Sequence, residues 1–114
     1  MLPKKYRLDV KEFNRTIREG KSYSSKYFYL KILKNSEDKT MVGVAVSKNL
    51  GKRAVRKSYY KRLLRHILVK SLPSTSAPYN LILTGKENIK DKKFKELEKD
   101  ATQLLQKTEL FRQQ

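Results

Sequence analysis

The chain contains no cysteine and a single histidine among its 114 residues. Disulfides, thiolate catalysis and cysteine-ligated zinc are therefore excluded. No apolar run approaches the ~20 residues a membrane-spanning helix needs. The opening Met1-Leu2-Pro3-Lys4-Lys5 is positively charged but has no apolar stretch behind it, so it does not read as a secretory signal. The expected location is the cytoplasm. Carboxylates are spread unevenly: no Asp or Glu occurs between Lys39 and Lys86. Two-metal nuclease chemistry requires clustered carboxylates. The only dense acidic group, Glu96, Glu98 and Asp100, is interleaved with Lys95 and Lys99 and reads as the solvated side of the last helix. The lone His66 lies within a basic stretch without visible catalytic partners and reads as a helix-surface residue.

Positive charge is what the chain has in excess. Lys and Arg number 28 against 11 Asp and Glu, a net charge of +17 and an isoelectric point near 10.2. Such a balance on a folded domain points to a polyanionic partner, first of all nucleic acid. An anionic membrane would also call for an apolar insertion face. The acid-free interval from Lys39 to Lys86 holds eleven Lys or Arg, and nine of them fall between Lys48 and Lys70.

The elements follow from periodicity and punctuation. A helix is expected over about 9–19, capped by Asp9 with Glu12 three residues on, and stopped by Gly20. Val10, Phe13 and Ile17 fall at helical spacing along it. A short strand near 21–24 precedes a clear one over 27–33, with Phe28, Leu30 and Ile32 on one face and Tyr29, Lys31 and Leu33 on the other. Residues 35–38 form a turn, and 41–46 a nearly all-apolar strand. A long helix is expected from Gly51 to about Val69, then a breaker-rich loop over 72–78, a strand over 79–84, and a last helix starting near Asp91 with a Phe94, Leu97, Ala101, Leu104 and Leu105 stripe. A short turn around Leu110 and Phe111 is expected to follow. Without repeats or a domain-sized linker, residues 1–114 are expected to form one α+β RNA-binding domain.

The long helix sorts into two faces. Val55, Tyr59, Leu63 and Ile67, with Tyr60 and Leu64 alongside, are expected to bury against the sheet. Lys57, Lys61 and Arg65 recur at i+4 on another side, beside Ser58 and Arg62. Like charges at that spacing cost roughly 0.2–0.5 kcal/mol per pair in an isolated helix. No acid on the helix offsets them, whereas a polyanion would, with counterion release and a steep salt dependence. Two readings stay open for the strand residues Tyr29 and Lys31. An open face would let the ring stack on a base and the amine meet a phosphate; a covered one would make Tyr29 an ordinary packed residue. Phe13 and Ile17 are likewise either core residues of the first helix or part of a binding surface.

Several segments together resemble one family, the bacterial ribonuclease P protein component. Leu2-Pro3-Lys4-Lys5-Tyr6-Arg7-Leu8 with Glu12-Phe13 and Gly20-Lys21-Ser22 is similar to that family's opening. Tyr27-Phe28-Tyr29-Leu30 looks like its aromatic strand, and Val42-Gly43-Val44-Ala45-Val46-Ser47-Lys48 like the strand leading into its signature helix. Ala54-Val55 and Lys61-Arg62-Leu63-Leu64-Arg65 fit the signature, and Tyr79-Asn80-Leu81-Ile82-Leu83 the later strand. One departure stands out: the family's usual Arg-Asn-Arg is Lys57-Ser58-Tyr59 here, which loses a guanidinium fork, an amide and a cation.

The resemblance implies an α-β-β-β-α-β-α sandwich on a central sheet, ribosomal protein S5 domain 2-like, with a left-handed βαβ crossover against the usual hand. It implies that Lys48, Lys52, Arg53, Lys57, Ser58, Lys61, Arg62 and Arg65 contact a catalytic RNA subunit. It further implies that a cleft between the signature helix and the sheet, including Phe13, Ile17, Tyr29 and Lys31, holds the 5′ leader of precursor tRNA. The RNA would perform the hydrolysis with Mg²⁺. The protein would bring no catalytic residue, metal or cofactor of its own, and one protein would serve each RNA. Two competitors remain: a ribosomal-type structural RNA-binding protein, and a protein nuclease acting without RNA.

Overall fold

The computed structural model describes residues 7–35, 40–47, 54–71, 79–90 and 92–108. The helix α1 (Val10–Glu19) begins where expected, because the Asp9 carboxylate accepts the Glu12 backbone N–H at 2.8 Å and so satisfies a donor of the first turn. Gly20 ends it by donating its N–H to the Thr16 carbonyl at 2.8 Å. Four strands follow the sequence pattern: β1 (Lys21–Ser24), β2 (Phe28–Lys34), β3 (Met41–Val46) and β4 (Tyr79–Gly85). Between β3 and β4 lies α2 (Ala54–Ser71); a 3₁₀ turn (Glu87–Ile89) and α3 (Phe94–Gln106) close the described chain. The last helix thus starts three residues after the expected Asp91, and the 3₁₀ turn lies ahead of that position, directly after β4. The expected loop over 72–78 and the turn at Leu110 and Phe111 lie outside the described residues.

The sheet runs β1-β2-β4-β3. β2 pairs antiparallel with β1 and β4, whereas β3 and β4 are parallel neighbours connected through α2. This gives an α+β fold on a mixed four-stranded sheet, flanked by helices. Arg7 extends the β3 edge through a parallel bridge to Val42.

Period-2 alternation assigns the two sheet faces. Phe28, Leu30 and Ile32 of β2, Val42 and Val44 of β3, and Leu81 and Leu83 of β4 are buried on one side. There they meet Tyr60, Leu64, Ile67 and Leu68 of α2 and Leu97, Ala101, Leu104 and Leu105 of α3. This cluster is the hydrophobic core. On the other side α1 covers only part of the sheet: Phe13 lies over Gly43, where a Cβ would come within 2.9 Å of its ring. Asn80 of β4 is buried beneath α1, donating to the Thr16 hydroxyl at 3.1 Å and accepting from Asn35 at 2.8 Å.

Two expectations require correction. On α2 the buried row is Tyr60, Leu64, Ile67 and Leu68, while Tyr59 is exposed and Leu63 half-buried. Successive i+4 steps drift ~40° around a helix of 3.6 residues per turn, so a pure i+4 ladder through Tyr59 and Leu63 leaves the core face. The acidic residues of α3 are also not a merely solvated side. Asp100 accepts the Ser25 hydroxyl at 2.6 Å and the Tyr27 N–H at 3.0 Å. Glu96 accepts the Tyr27 hydroxyl, and Glu98 pairs with Lys70 at 3.1 Å. These carboxylates pin α3 to the β1–β2 connection and to α2. Among the described residues, no helix is long and apolar enough to cross a membrane.

Candidate nucleic-acid interface

The part of the sheet that α1 leaves open is built by register. Ser24, Tyr29, Thr84 and Ala45 are cross-strand partners and form one row; Ser22, Lys31, Ile82 and Gly43 form the next. In the second row Ile82 is fully buried, and Phe13 overlies Gly43. In the first row Tyr29 is 54% exposed. The two rows therefore descend from a helix-covered end to an open end. Strand spacing places Lys31 roughly 10 Å across the sheet from the Phe13–Gly43 contact, two strands away.

Phe13 is half-buried and Ile17, one turn further on the same helix face, is exposed. Neither is a core residue of the kind their spacing also allowed; the residue that α1 fully buries is Thr16, whose hydroxyl donates to the Glu12 carbonyl at 2.7 Å. Phe13, Ile17, Tyr29 and Lys31 thus share one surface. The expected boundary of that surface is corrected, however. The surface lies where α1 meets the sheet, whereas the buried row of α2 packs on the opposite sheet face.

One member of this surface was not picked out from the sequence. Lys86 holds its ammonium 4.4 Å from the Tyr29 ring centroid while donating to the Ser24 hydroxyl at 3.2 Å and to the Ser25 carbonyl. Asn88 donates to the Lys26 carbonyl at 3.0 Å, and the Lys86 N–H to the Tyr27 carbonyl at 2.9 Å. The turn after β4 is thereby fastened to the β1–β2 connection. A hollow of about 510 Å³ opens there, lined by Tyr29, Ser47, Thr84, Lys86, Glu87 and Asn88. A stacking ring with an ammonium against it and hydrogen-bonding groups around it suits a nucleotide.

The second basic surface is on α2. Ser58 and Arg62 are exposed, and Lys61 and Arg65 are half-buried. Among the described residues no ion pair joins Lys61, Arg62 or Arg65 to a carboxylate. Arg65 instead faces another cation: burial first, and the Arg7 guanidinium second, lower its pKa from the usual arginine value. Arg7 Nε is buried with no hydrogen-bond partner among the described residues. The two guanidiniums thus repel one another, and among the described residues no ion pair joins either to a carboxylate. Lys48, Lys52 and Arg53, and the side chain of Lys57, lie outside the described residues. Also among the described residues, no three His, Asp or Glu side chains converge in a way that could hold a metal.

Comparison with known proteins places this geometry in context. A family model described as Ribonuclease P matches residues 2–109. A ribonuclease P protein component of Clostridium novyi is 36% identical over 102 residues, covering 88% of this chain and 89% of the relative. One from Clostridioides difficile is 30% identical over 100 residues, covering 87% of each. The fold is similar to that of a Staphylococcus aureus RNase P protein solved at 2.0 Å, with a TM-score of 0.81 at 24% identity, over 93% of this chain and 97% of the other.

Proposed function

We propose that this chain, which belongs to the ribonuclease P protein component family, is the RNA-binding protein subunit of a tRNA 5′-processing ribonucleoprotein. The α2 face bearing Ser58, Lys61, Arg62 and Arg65 binds the RNA subunit, together with Lys48, Lys52, Arg53 and Lys57 of the same segment. The cleft of Phe13, Ile17, Tyr29 and Lys31, extended by Lys86, holds the single-stranded 5′ leader of precursor tRNA. Bases stack on the aromatic rings, and Lys31 and Lys86 meet the backbone. The phosphodiester hydrolysis belongs to the RNA and its Mg²⁺. The protein contributes substrate affinity and screens phosphate repulsion, one copy per RNA, in the cytoplasm.

The observation that carries this reading is the uncompensated charge of α2. Its eighteen residues hold no acid, and among the described residues Lys61, Arg62 and Arg65 have no carboxylate partner, Lys70 at the far end alone pairing with Glu98. A folded chain tolerates that where a polyanion completes the surface. The deciding experiment is reconstitution. Added to a bacterial ribonuclease P RNA at low Mg²⁺, the protein is expected to stimulate cleavage of precursor tRNA, while the protein alone cleaves nothing. Binding without stimulation would point to a structural RNA-binding role, and cleavage by the protein alone to a nuclease.

A further inference from the structure

A second aromatic surface lies on α2, away from the cleft. Tyr59, Arg62, Leu63 and His66 occupy positions i, i+3, i+4 and i+7 of the helix and form one stripe. Phe94, the first residue of α3, faces them, and together they line a groove of about 420 Å³. Its walls are braced. Tyr59 meets the buried Tyr60 edge-on, with ring centroids 5.1 Å apart and planes at 76°. The His66 and Phe94 rings lie 5.4 Å apart at 55°. Yet Tyr59 is 57% exposed, a large ring held in place and left open.

The charge around the groove selects among occupants. Arg62 lines it, and among the described residues no carboxylate does. Lys92, Lys93 and Lys95, which flank Phe94 in the chain, are all exposed. The start of α3 adds the positive end of a helix dipole. An aromatic slot with a cationic rim suits a flat ring system attached to a phosphate. The groove also adjoins the cationic face: around the helix, Lys61 and Arg65 lead through Arg62 to His66 and Tyr59. An RNA whose phosphates lie on Lys61, Arg62 and Arg65 would bring a base to this slot.

We propose that the Tyr59–His66–Phe94 groove takes one unpaired nucleobase of the RNA subunit, stacked on Tyr59, with Arg62 on its phosphate. The proposal rests on the RNA-subunit reading of α2. It also gives the departure at this position a purpose: where the resembled family usually carries a cation, this chain carries a stacking ring.

The test exploits the absence of tryptophan from the chain. A Tyr59→Trp variant carries a single indole at the groove. Titration with a bacterial ribonuclease P RNA is expected to quench its emission at the concentrations where binding occurs. A single-stranded oligonucleotide of leader length, directed to the other cleft, is expected to leave it unchanged. In parallel, Tyr59→Phe should keep wild-type affinity for the RNA. Tyr59→Ala should lose about tenfold with an unaltered salt slope, since stacking releases no counterions. The inference is overturned if the RNA binds normally while Tyr59→Ala keeps full affinity and the indole is not quenched. It is also overturned if the free variant's emission shifts with its own concentration, which would mark a self-contact, or is blue-shifted and insensitive to RNA. If the wild-type chain does not bind the RNA at all, the reading of α2 fails first.

Discussion

The Lys86 ammonium lies 4.4 Å from the centroid of the Tyr29 ring. The contact joins the open sheet face to the turn after β4, and the Lys86 bonds to Ser24 and Ser25 fix its direction. The ring is therefore oriented before any ligand arrives. Replacing Tyr29 by Ala removes a stacking platform, which is worth about 1–3 kcal/mol per base. We expect leader affinity, measured as the difference between precursor tRNA with and without its leader, to fall by about fivefold or more. Lys86→Ala should weaken the same difference by a smaller factor. Equal affinities for the leader-bearing substrate in wild type and Tyr29→Ala would remove the cleft from the function.

Substituting Lys61, Arg62 and Arg65 together by Ala tests the other surface. Each lost phosphate contact lowers the slope of log affinity against log salt by about 0.7–0.9. The triple variant should bind the RNA subunit more weakly at low salt and show a slope smaller by roughly 2–3, following that rule. Its leader preference should be retained, because these residues do not lie on the α1 side of the sheet. An unchanged slope would mean that the phosphates contact other residues.

The pair of Arg7 and Arg65 makes a prediction of opposite signs. After burial, the Arg7 guanidinium is what lowers the Arg65 pKa, the mark of repulsion between the two cations, and the Arg7 Nε lacks a hydrogen-bond partner among the described residues. Arg7→Gln relieves the repulsion, so the free protein should be as stable as wild type or more stable by a few tenths of a kcal/mol, the size of neighbouring like-charge repulsion. RNA affinity should nevertheless fall, with a salt slope lower by up to about 1. Urea denaturation and filter binding on the same preparations would compare the two effects. A loss of stability with unchanged affinity would make Arg7 a structural residue.

Much of this arrangement was legible in the sequence because it is local. The Asp9 cap, the alternation of Phe28, Leu30 and Ile32 against Tyr29 and Lys31, and the α3 stripe all depend on spacings of two to four residues. The phase of α2 was not legible, because a run containing Tyr59, Tyr60, Leu63 and Leu64 offers two overlapping apolar rows, and only the packing partners choose between them. Lys86 was missed for a different reason. Its role depends on β2 pairing with β4, which brings together residues 61 and 62 positions apart in the chain. Asp100 and Glu96 act across 69 to 75 positions, so their local mixture with lysines was misleading. The Arg7–Arg65 repulsion likewise follows from the N-terminal segment joining the β3 edge.

Asn80 couples the fold to the cleft. It is buried in β4 and bonded to both Thr16 of α1 and Asn35. Replacing it by Ala removes the tie between α1 and the sheet and leaves polar partners under-satisfied, at a cost of about 1–3 kcal/mol. For a domain near this size each kcal/mol lowers the melting temperature by about 4–8 °C. Since α1 bears Phe13 and Ile17, leader affinity should fall in the folded variant as well. Affinity for the RNA subunit should change little. A variant that melts like wild type would show that the network contributes nothing to seating α1.

Tyr27 gives the pH dependence. Its hydroxyl donates to Glu96, and this bond, followed by burial, raises its pKa above the ordinary 10.0, with Lys26 opposing. The folded state therefore favours the protonated phenol. That contribution is fully present below pH 10 and is lost as the pH rises through the higher folded value. Denaturation midpoints should thus decline above pH 10 more steeply in wild type than in Tyr27→Phe, which has no phenol to ionise. The two proteins differ only in this hydroxyl, so the difference between the two curves isolates Tyr27. The variant should already be less stable than wild type at pH 8, where the Glu96 bond is intact only in wild type. Parallel curves from pH 8 to 11 would mean that the link between the β1–β2 connection and α3 does not depend on this proton.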